Sequence, residues 1–151
     1  MIDPVLTVRD LLMDNWSLTG ERTSKKITWS TGEYRENLGA PTRFQIVIVD
    51  VLEDTKLQGL GGTKWRARAT LQVDIYVKVP DITNAGRASA RADLWALREE
   101  ARSILLTNPT GNTDIHVILP NPGRPLHEQK DRNPIYRWTY DIDVQYVVTV
   151  S

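Results

Sequence analysis

The chain has 151 residues, of which 40% are hydrophobic, and its 19 lysines and arginines balance its 19 aspartates and glutamates. This length and apolar fraction predict one domain, residues 1–151. Because the net charge is zero, the chain as a whole has no long-range attraction for nucleic acid or an anionic membrane. The absence of cysteine excludes disulfides, thiolate metal sites and a cysteine nucleophile, and no apolar run reaches the roughly 18 residues of a membrane span.

The first predicted element is an amphipathic helix from Pro4 to about Trp16. Its apolar residues recur at helical spacings and would share one face: Val5, Val8, Leu11, Leu12 and Trp16. Asp3 is suited to cap the helix and Pro4 to occupy its first position, where a missing N–H costs nothing. After a polar stretch, Ile27 to Trp29 predicts a short strand.

After Pro41 the spacing of the apolar residues changes from that of a helix to that of a strand, which predicts two longer strands. Phe44 to Leu52 is rich in β-branched residues, and the charged, glycine-bearing residues 53–63 after it predict a long loop. Between Lys64 and Val79, apolar and polar residues alternate, which indicates a strand with one buried face. Its apolar set is Trp65, Ala67, Ala69, Leu71, Val73, Ile75, Val77 and Val79. Tyr76 falls on the polar face, where we expect it to be half-exposed.

A second helix is predicted over residues 85–106. Thr83 or Asn84 is suited to cap its start, because both side chains accept hydrogen bonds from free backbone N–H groups. Its apolar residues form one continuous stripe: Ala90, Leu94, Leu97, Ala101, Ile104 and Leu105. We expect this stripe to lie on the sheet.

Two further strands complete the predicted sheet. One runs from Ile115 to Leu119, and the other alternates strictly from Arg137 to Val150. The proline-rich residues 120–135 between them predict a second long loop. The element order therefore predicts an α+β fold: a two-layer sandwich in which an antiparallel or mixed β-sheet of four to five strands carries two helices on one face, its other face being polar.

This organisation resembles the tail terminator, or tail-completion, proteins of long-tailed bacteriophages. The resemblance spans nearly the whole chain and includes the pairing of Trp65 to Val79 with Trp138 to Val150 around a helix bearing Leu94, Trp95 and Leu97. It implies a non-enzymatic subunit of the virion tail and neck, assembled in the host cytoplasm, with no cofactor, metal or membrane. The implied partners are further copies of the chain in a ring, typically of six, the tail tube protein and the head-tail connector or neck proteins, with DNA passing non-specifically through the lumen.

Arginines on the second helix form the first candidate site. Four of them recur at helical spacings and share one side of the helix with a tryptophan: Arg87, Arg91, Trp95, Arg98 and Arg102. In a ring, this row would face acidic residues of a neighbouring subunit or a lumen that carries DNA. The alternative is a solvated helix face with Asp93 and Glu99 nearby.

The two predicted long loops form the second candidate site. Hairpin connections need fewer residues than these loops have, and long loops frequently bind partners. The residues that we expect to contact neighbouring subunits or the tail tube are Leu57, Leu60, Arg124, Leu126, His127 and Arg132. The alternative is that both loops are solvent-exposed connections.

Catalytic sites find little support in the sequence. Two histidines, His116 in a predicted strand and His127 in a loop, are too few for a metal or acid–base constellation. Asp141 and Asp143 share a strand face, and Asp74 would lie opposite them, which would suit Mg²⁺ or Ca²⁺ in a small metal-dependent hydrolase. The same strand faces carry three arginines that favour cross-strand ion pairs instead: Arg66, Arg68 and Arg137.

Two structural functions stay open beside a ring that caps the tail tube. One is a head-closure or tail-to-head joining connector. The other is an adaptor that binds proteins through its loops. A closed homo-oligomer that binds tail tubes would distinguish the terminator from both.

Overall fold

The computed structural model describes residues 3–32, 43–61, 64–107, 115–118, 123–125 and 135–149. The helices are α1 (Pro4–Asn15) and α2 (Asn84–Thr107), and two 3₁₀ turns are Gly20–Arg22 and Ser24–Lys26. The strands are β1 (Ile27–Ser30), β2 (Phe44–Gly61), β3 (Lys64–Lys78), β4 (Ile115–Ile118), β5 (Arg124–Pro125) and β6 (Ile135–Thr149).

The strands form one open, mixed sheet with the order β1-β2-β3-β6-β4, and β5 pairs with β6 beside β4. β1 runs parallel to the start of β2, while the other pairs are antiparallel. β3 is the central strand and pairs along its whole length with β6, from Lys64 opposite Thr149 to Lys78 opposite Ile135. The predicted α+β fold with a mixed sheet is confirmed.

Both helices begin at the caps that the sequence predicts. The Asp3 carboxylate accepts the N–H of Val5 at 3.0 Å, and Pro4 is the first residue of α1. At α2, the Thr83 hydroxyl accepts the N–H of Gly86 at 3.1 Å. Each cap satisfies backbone donors that the first turn of a helix leaves free.

One hydrophobic core joins the two helices to a single face of the sheet. The apolar stripe predicted on α2 is buried throughout, and every second residue of β3 from Ala67 to Val77 is fully buried. α1 contacts β2 and α2, whereas α2 contacts β3, β6 and β4. α1 therefore covers the β2 side of the sheet and α2 covers the β6 side, as a two-layer sandwich requires.

The predicted loop over residues 53–63 is wrong as far as Gly61, because β2 continues to that residue. Its pairing with β3 shifts register between Asp50 and Leu52, between Asp54 and Gln58, and between Gly59 and Gly61. Each shift breaks the two-residue alternation by which a strand is recognised in a sequence, while the backbone stays paired. The predicted loop over residues 120–135 lies largely outside the described residues, and within it Arg124–Pro125 is β5.

The sheet face opposite the helices is not wholly polar. Tyr76 is only 7% exposed, so the half-exposed position predicted for it is wrong. It forms a small second core with Val47 and Ile135, because β6 begins at Ile135, two residues before the predicted strand. The Tyr76 ring also lies 5.2 Å from the guanidinium of Arg137, its partner across the sheet.

Candidate functional site

The predicted arginine row lies along one side of α2, and most of it faces solvent. The side chains of Arg87, Arg91 and Arg102 are exposed, and Trp95 is 58% exposed. We call this surface the arginine–tryptophan face, with the members Arg87, Arg91, Trp95, Arg98 and Arg102. A large exposed indole among arginines is unusual on a solvated helix, and both residue types are enriched at the centres of protein interfaces.

Arg98 is the member of the face that is fixed in place. Its guanidinium lies 4.1 Å from the ring centre of Trp95 and 3.8 Å from that of Trp138 on β6. The side chain is 18% exposed, and its Nε lies 3.5 Å from a carboxylate oxygen of Glu99. Stacking between two aromatic rings holds Trp95 at the surface in a defined position, which lowers the conformational entropy that a partner would have to overcome.

Tyr140 supports the same turn of α2 from below. Its hydroxyl donates a hydrogen bond to the backbone carbonyl of Arg98 at 2.9 Å, and the residue is 1% exposed. Burial raises the pKa of Tyr140 to about 12, against the opposing effect of the nearby Arg98 charge. The helix is thereby tied to the sheet at the residue that stacks against both tryptophans.

We expect the Tyr140 hydroxyl to make stability depend on pH in the alkaline range. The unfolded chain releases this proton near pH 10.0 and the folded chain near pH 12, so the stabilisation is complete below pH 10 and is lost as pH rises to about 12. At neutral pH, Tyr140→Phe should lower the free energy of unfolding by about 1 kcal/mol through the lost hydrogen bond. Urea denaturation of both proteins should show this difference shrinking as pH rises from 10 to 12. A constant difference would contradict the assignment.

Acidic side chains of the described residues neutralise little of the positive charge on the arginine–tryptophan face. Asp93 projects from another side of α2 and pairs with Arg22 at 2.8 Å and with Arg43 at 3.0 Å. Within the described part of the chain, Arg87, Arg91 and Arg102 have no ion pair. Of the two acidic residues expected near a solvated helix face, Glu99 lies beside Arg98, whereas Asp93 pairs with Arg22 and Arg43.

Of the six residues predicted on the two loops, the structure describes one side chain, that of Arg124. Leu57 and Leu60 belong to β2, and their side chains lie outside the described part of the structure. Arg124 is exposed on β5, beside Thr139 of β6. Leu126, His127 and Arg132 lie outside the described residues.

The carboxylates weighed as a metal site are held in cross-strand polar contacts. Asp74 accepts hydrogen bonds from Arg137 at 3.0 Å, from Gln72 at 2.9 Å and from the Thr139 hydroxyl. The predicted cross-strand ion pair is confirmed for Asp74 and Arg137. Among the described residues, no group of three or more histidine, aspartate or glutamate side chains is placed to hold a metal ion.

A second ion pair on the same face confirms the prediction further along the strands. Asp143 on β6 accepts hydrogen bonds from Arg68 and from Thr70 of β3, each at 2.9 Å. Arginines therefore neutralise two of the three carboxylates that were considered as ligands.

Two features of the surface have no signal in the sequence. The stacking of Arg98 on Trp138 joins residues that lie far apart in the chain. The second feature is the outer edge of β2: β1 pairs with it only from Phe44 to Val47, and no described strand pairs with the edge from Ile48 to Gly61. β-bulges and a long open edge follow from how strands meet, which local composition does not specify.

No protein-family model and no curated protein matches this chain. None of the described helices is long and apolar enough to cross a membrane. The exposed surfaces that are candidates for binding a partner are the arginine–tryptophan face and the outer edge of β2 beyond Val47.

Proposed function

We propose that this chain is a structural, non-enzymatic subunit of a long-tailed phage virion, which forms a ring that caps the tail tube, ends its polymerisation and joins it to the head and neck. The observation that carries the proposal is the outer edge of β2 beyond Val47, with which no strand among the described residues pairs. Unpaired backbone N–H and C=O groups along a strand edge readily pair with another chain.

In a closed ring, the β2 edge of each copy would pair with a neighbouring copy, so no edge would remain available for uncontrolled aggregation. The β2 edge lies at one side of the sheet and α2 lies toward the other side, so two different surfaces are available to two neighbours. Contacts between unlike surfaces repeat from copy to copy and close into a ring when the rotation between copies allows it. The register shifts in β2 twist the strand locally, which disfavours open-ended stacking of flat edges.

The remaining parts of the proposal follow from the resemblance to tail terminators. The ring would be assembled in the host cytoplasm, would contact the tail tube protein and the neck or head-tail connector, and would let DNA pass through its lumen. The arginines of α2 are the charged residues that would contact either a neighbouring copy or that DNA.

The first test is the mass of the purified protein by light scattering over a range of concentrations, followed by electron microscopy of tail tubes grown with and without it. We expect a closed oligomer, with a mass near six times the chain mass of 17.2 kDa, that binds tube ends and stops their growth. A lysine at an exposed edge position opposes strand pairing, so Val51→Lys should weaken this oligomer.

The matched control is Val51→Thr, which keeps the β-branched shape at the same 54% exposed position. The control should assemble like the wild type. A protein that stays monomeric with tubes present and leaves their growth unchanged would contradict the proposal, and binding to connectors but not to tubes would favour a joining protein.

A further inference from the structure

α1 has a partly exposed face of its own, turned away from the core. Leu6 and Met13 are 39% and 37% exposed, and they recur over two helical turns with two exposed aspartates. We call this surface the aspartate–leucine face, with the members Leu6, Asp10, Met13 and Asp14. Asp10 pairs with its neighbour Arg9 at 3.0 Å, whereas Asp14 makes no ion pair with any described residue.

This face complements the arginine–tryptophan face in both charge and polarity. One offers two aspartates beside two exposed apolar side chains, and the other offers arginines beside Trp95 and, one turn beyond Arg102, Leu106, which is 57% exposed. Facing charges of opposite sign select a partner, and apolar residues between them supply contact area. The aspartate–leucine face spans about two turns of α1, so it matches part of the longer arginine–tryptophan face in length.

The two faces lie on different sides of the molecule. α1 covers the β2 side of the sheet, and the arginine–tryptophan face lies on the part of α2 that contacts Trp138 of β6. Asp93, which pairs with Arg22 and Arg43, marks the side of α2 turned toward β2. Among the described residues, the two faces of one copy are therefore not in contact with each other, so each can bind a different neighbour.

We propose that the arginine–tryptophan face of one copy binds the aspartate–leucine face of the next copy, head to tail, in the ring. This inference rests on the proposed function and adds a contact between helices of neighbouring copies to the contact that the β2 edge offers. Trp95, held by the stack on Arg98, is the central anchor, and the exposed Arg91 and Arg102 on either side of it attract Asp10 and Asp14 of the neighbour. Because the contact joins two unlike surfaces, it repeats around the ring in one direction.

Charge exchange between two variants tests the contact directly. One variant carries Arg91→Glu and Arg102→Glu, and the other carries Asp10→Lys and Asp14→Lys. Each variant alone brings like charges together, so we expect the concentration needed for assembly to rise at least about tenfold. In an equimolar mixture, every contact between unlike variants again joins opposite charges, so assembly should return to within about threefold of the wild type.

A control variant separates the contact from general effects of charge. Lys25→Glu with Arg66→Glu reverses two exposed cations away from both faces and should assemble like the wild type. Thermal unfolding should be unchanged in all variants, since every reversed side chain is exposed or pairs only at the surface. Assembly is measured by light scattering and, on tail tubes, by counting capped ends.

The outcomes distinguish this inference from the proposed function. If the wild type forms the ring and both variants form it equally well, the contact is wrong and the ring stands. If the wild type forms no ring in solution or on tubes, both are wrong. If only the arginine variant fails, is not restored by mixing and loses binding to duplex DNA, the arginines contact DNA and the contact proposed here is overturned.

Discussion

Asp74→Ala is expected to lower the free energy of unfolding by about 3 to 5 kcal/mol. The side chain of Asp74 is 5% exposed and that of its partner Arg137 is 19% exposed. Removing the carboxylate breaks a largely buried ion pair and deprives Gln72 and Thr139 of their acceptor. Urea denaturation followed by tryptophan fluorescence measures the loss.

Asp143→Ala is the matched control on the same sheet face. Asp143 also pairs with an arginine of β3, but the side chain of that arginine, Arg68, is 46% exposed. Water replaces the lost contact there, so we expect a loss of about 1 kcal/mol or less. Equal losses for the two aspartates would show that burial does not determine the strength of these pairs.

Leu97→Ala is expected to lower the free energy of unfolding by about 2 to 5 kcal/mol. Leu97 is fully buried on the stripe by which α2 packs on the sheet, and truncation removes apolar contacts and leaves a cavity. Because α2 also carries the arginine–tryptophan face, loosening this helix should weaken self-association at temperatures where the subunit is still folded.

Leu106→Ala on the same helix separates packing from assembly. Leu106 is 57% exposed, so its truncation should change the free energy of unfolding by less than about 0.5 kcal/mol. It should still weaken self-association if Leu106 belongs to the contact with α1 of a neighbour. Thermal unfolding and light scattering on the same samples measure both quantities, and a large loss of stability would mean that Leu106 packs inward.

The sequence predicted the elements in which apolar residues recur at regular spacing. The alternation from Ala67 to Val79 appears as the buried face of β3, and the caps Asp3 and Thr83 begin the two helices. These signals are local: a buried strand face repeats every second residue, and a cap acts within its own first turn.

The features that were missed depend on parts of the chain that are distant in sequence. β2 extends to Gly61 because β3 continues beside it, although its register shifts disturb the pattern. Tyr76 is buried because Ile135 and Val47 meet it from two other strands. The arginine row was visible as a helical spacing, but the stack that fixes Arg98 needs Trp138, which only the folded sheet brings near.

The pairing of the strands determines the order in which the subunit can fold. β2 and β3 are neighbours in the chain and form a hairpin, whose contacts close only short segments. The second partner of β3 is β6, and this ladder joins Lys78 to Ile135 and Lys64 to Thr149 across most of the chain. During synthesis the centre of the sheet therefore remains an open edge until β6 has left the ribosome, and the pairing of β3 with β6 is the non-local step that slows folding. A growing chain that lacks β6 cannot present the finished sheet on which α2 is fixed.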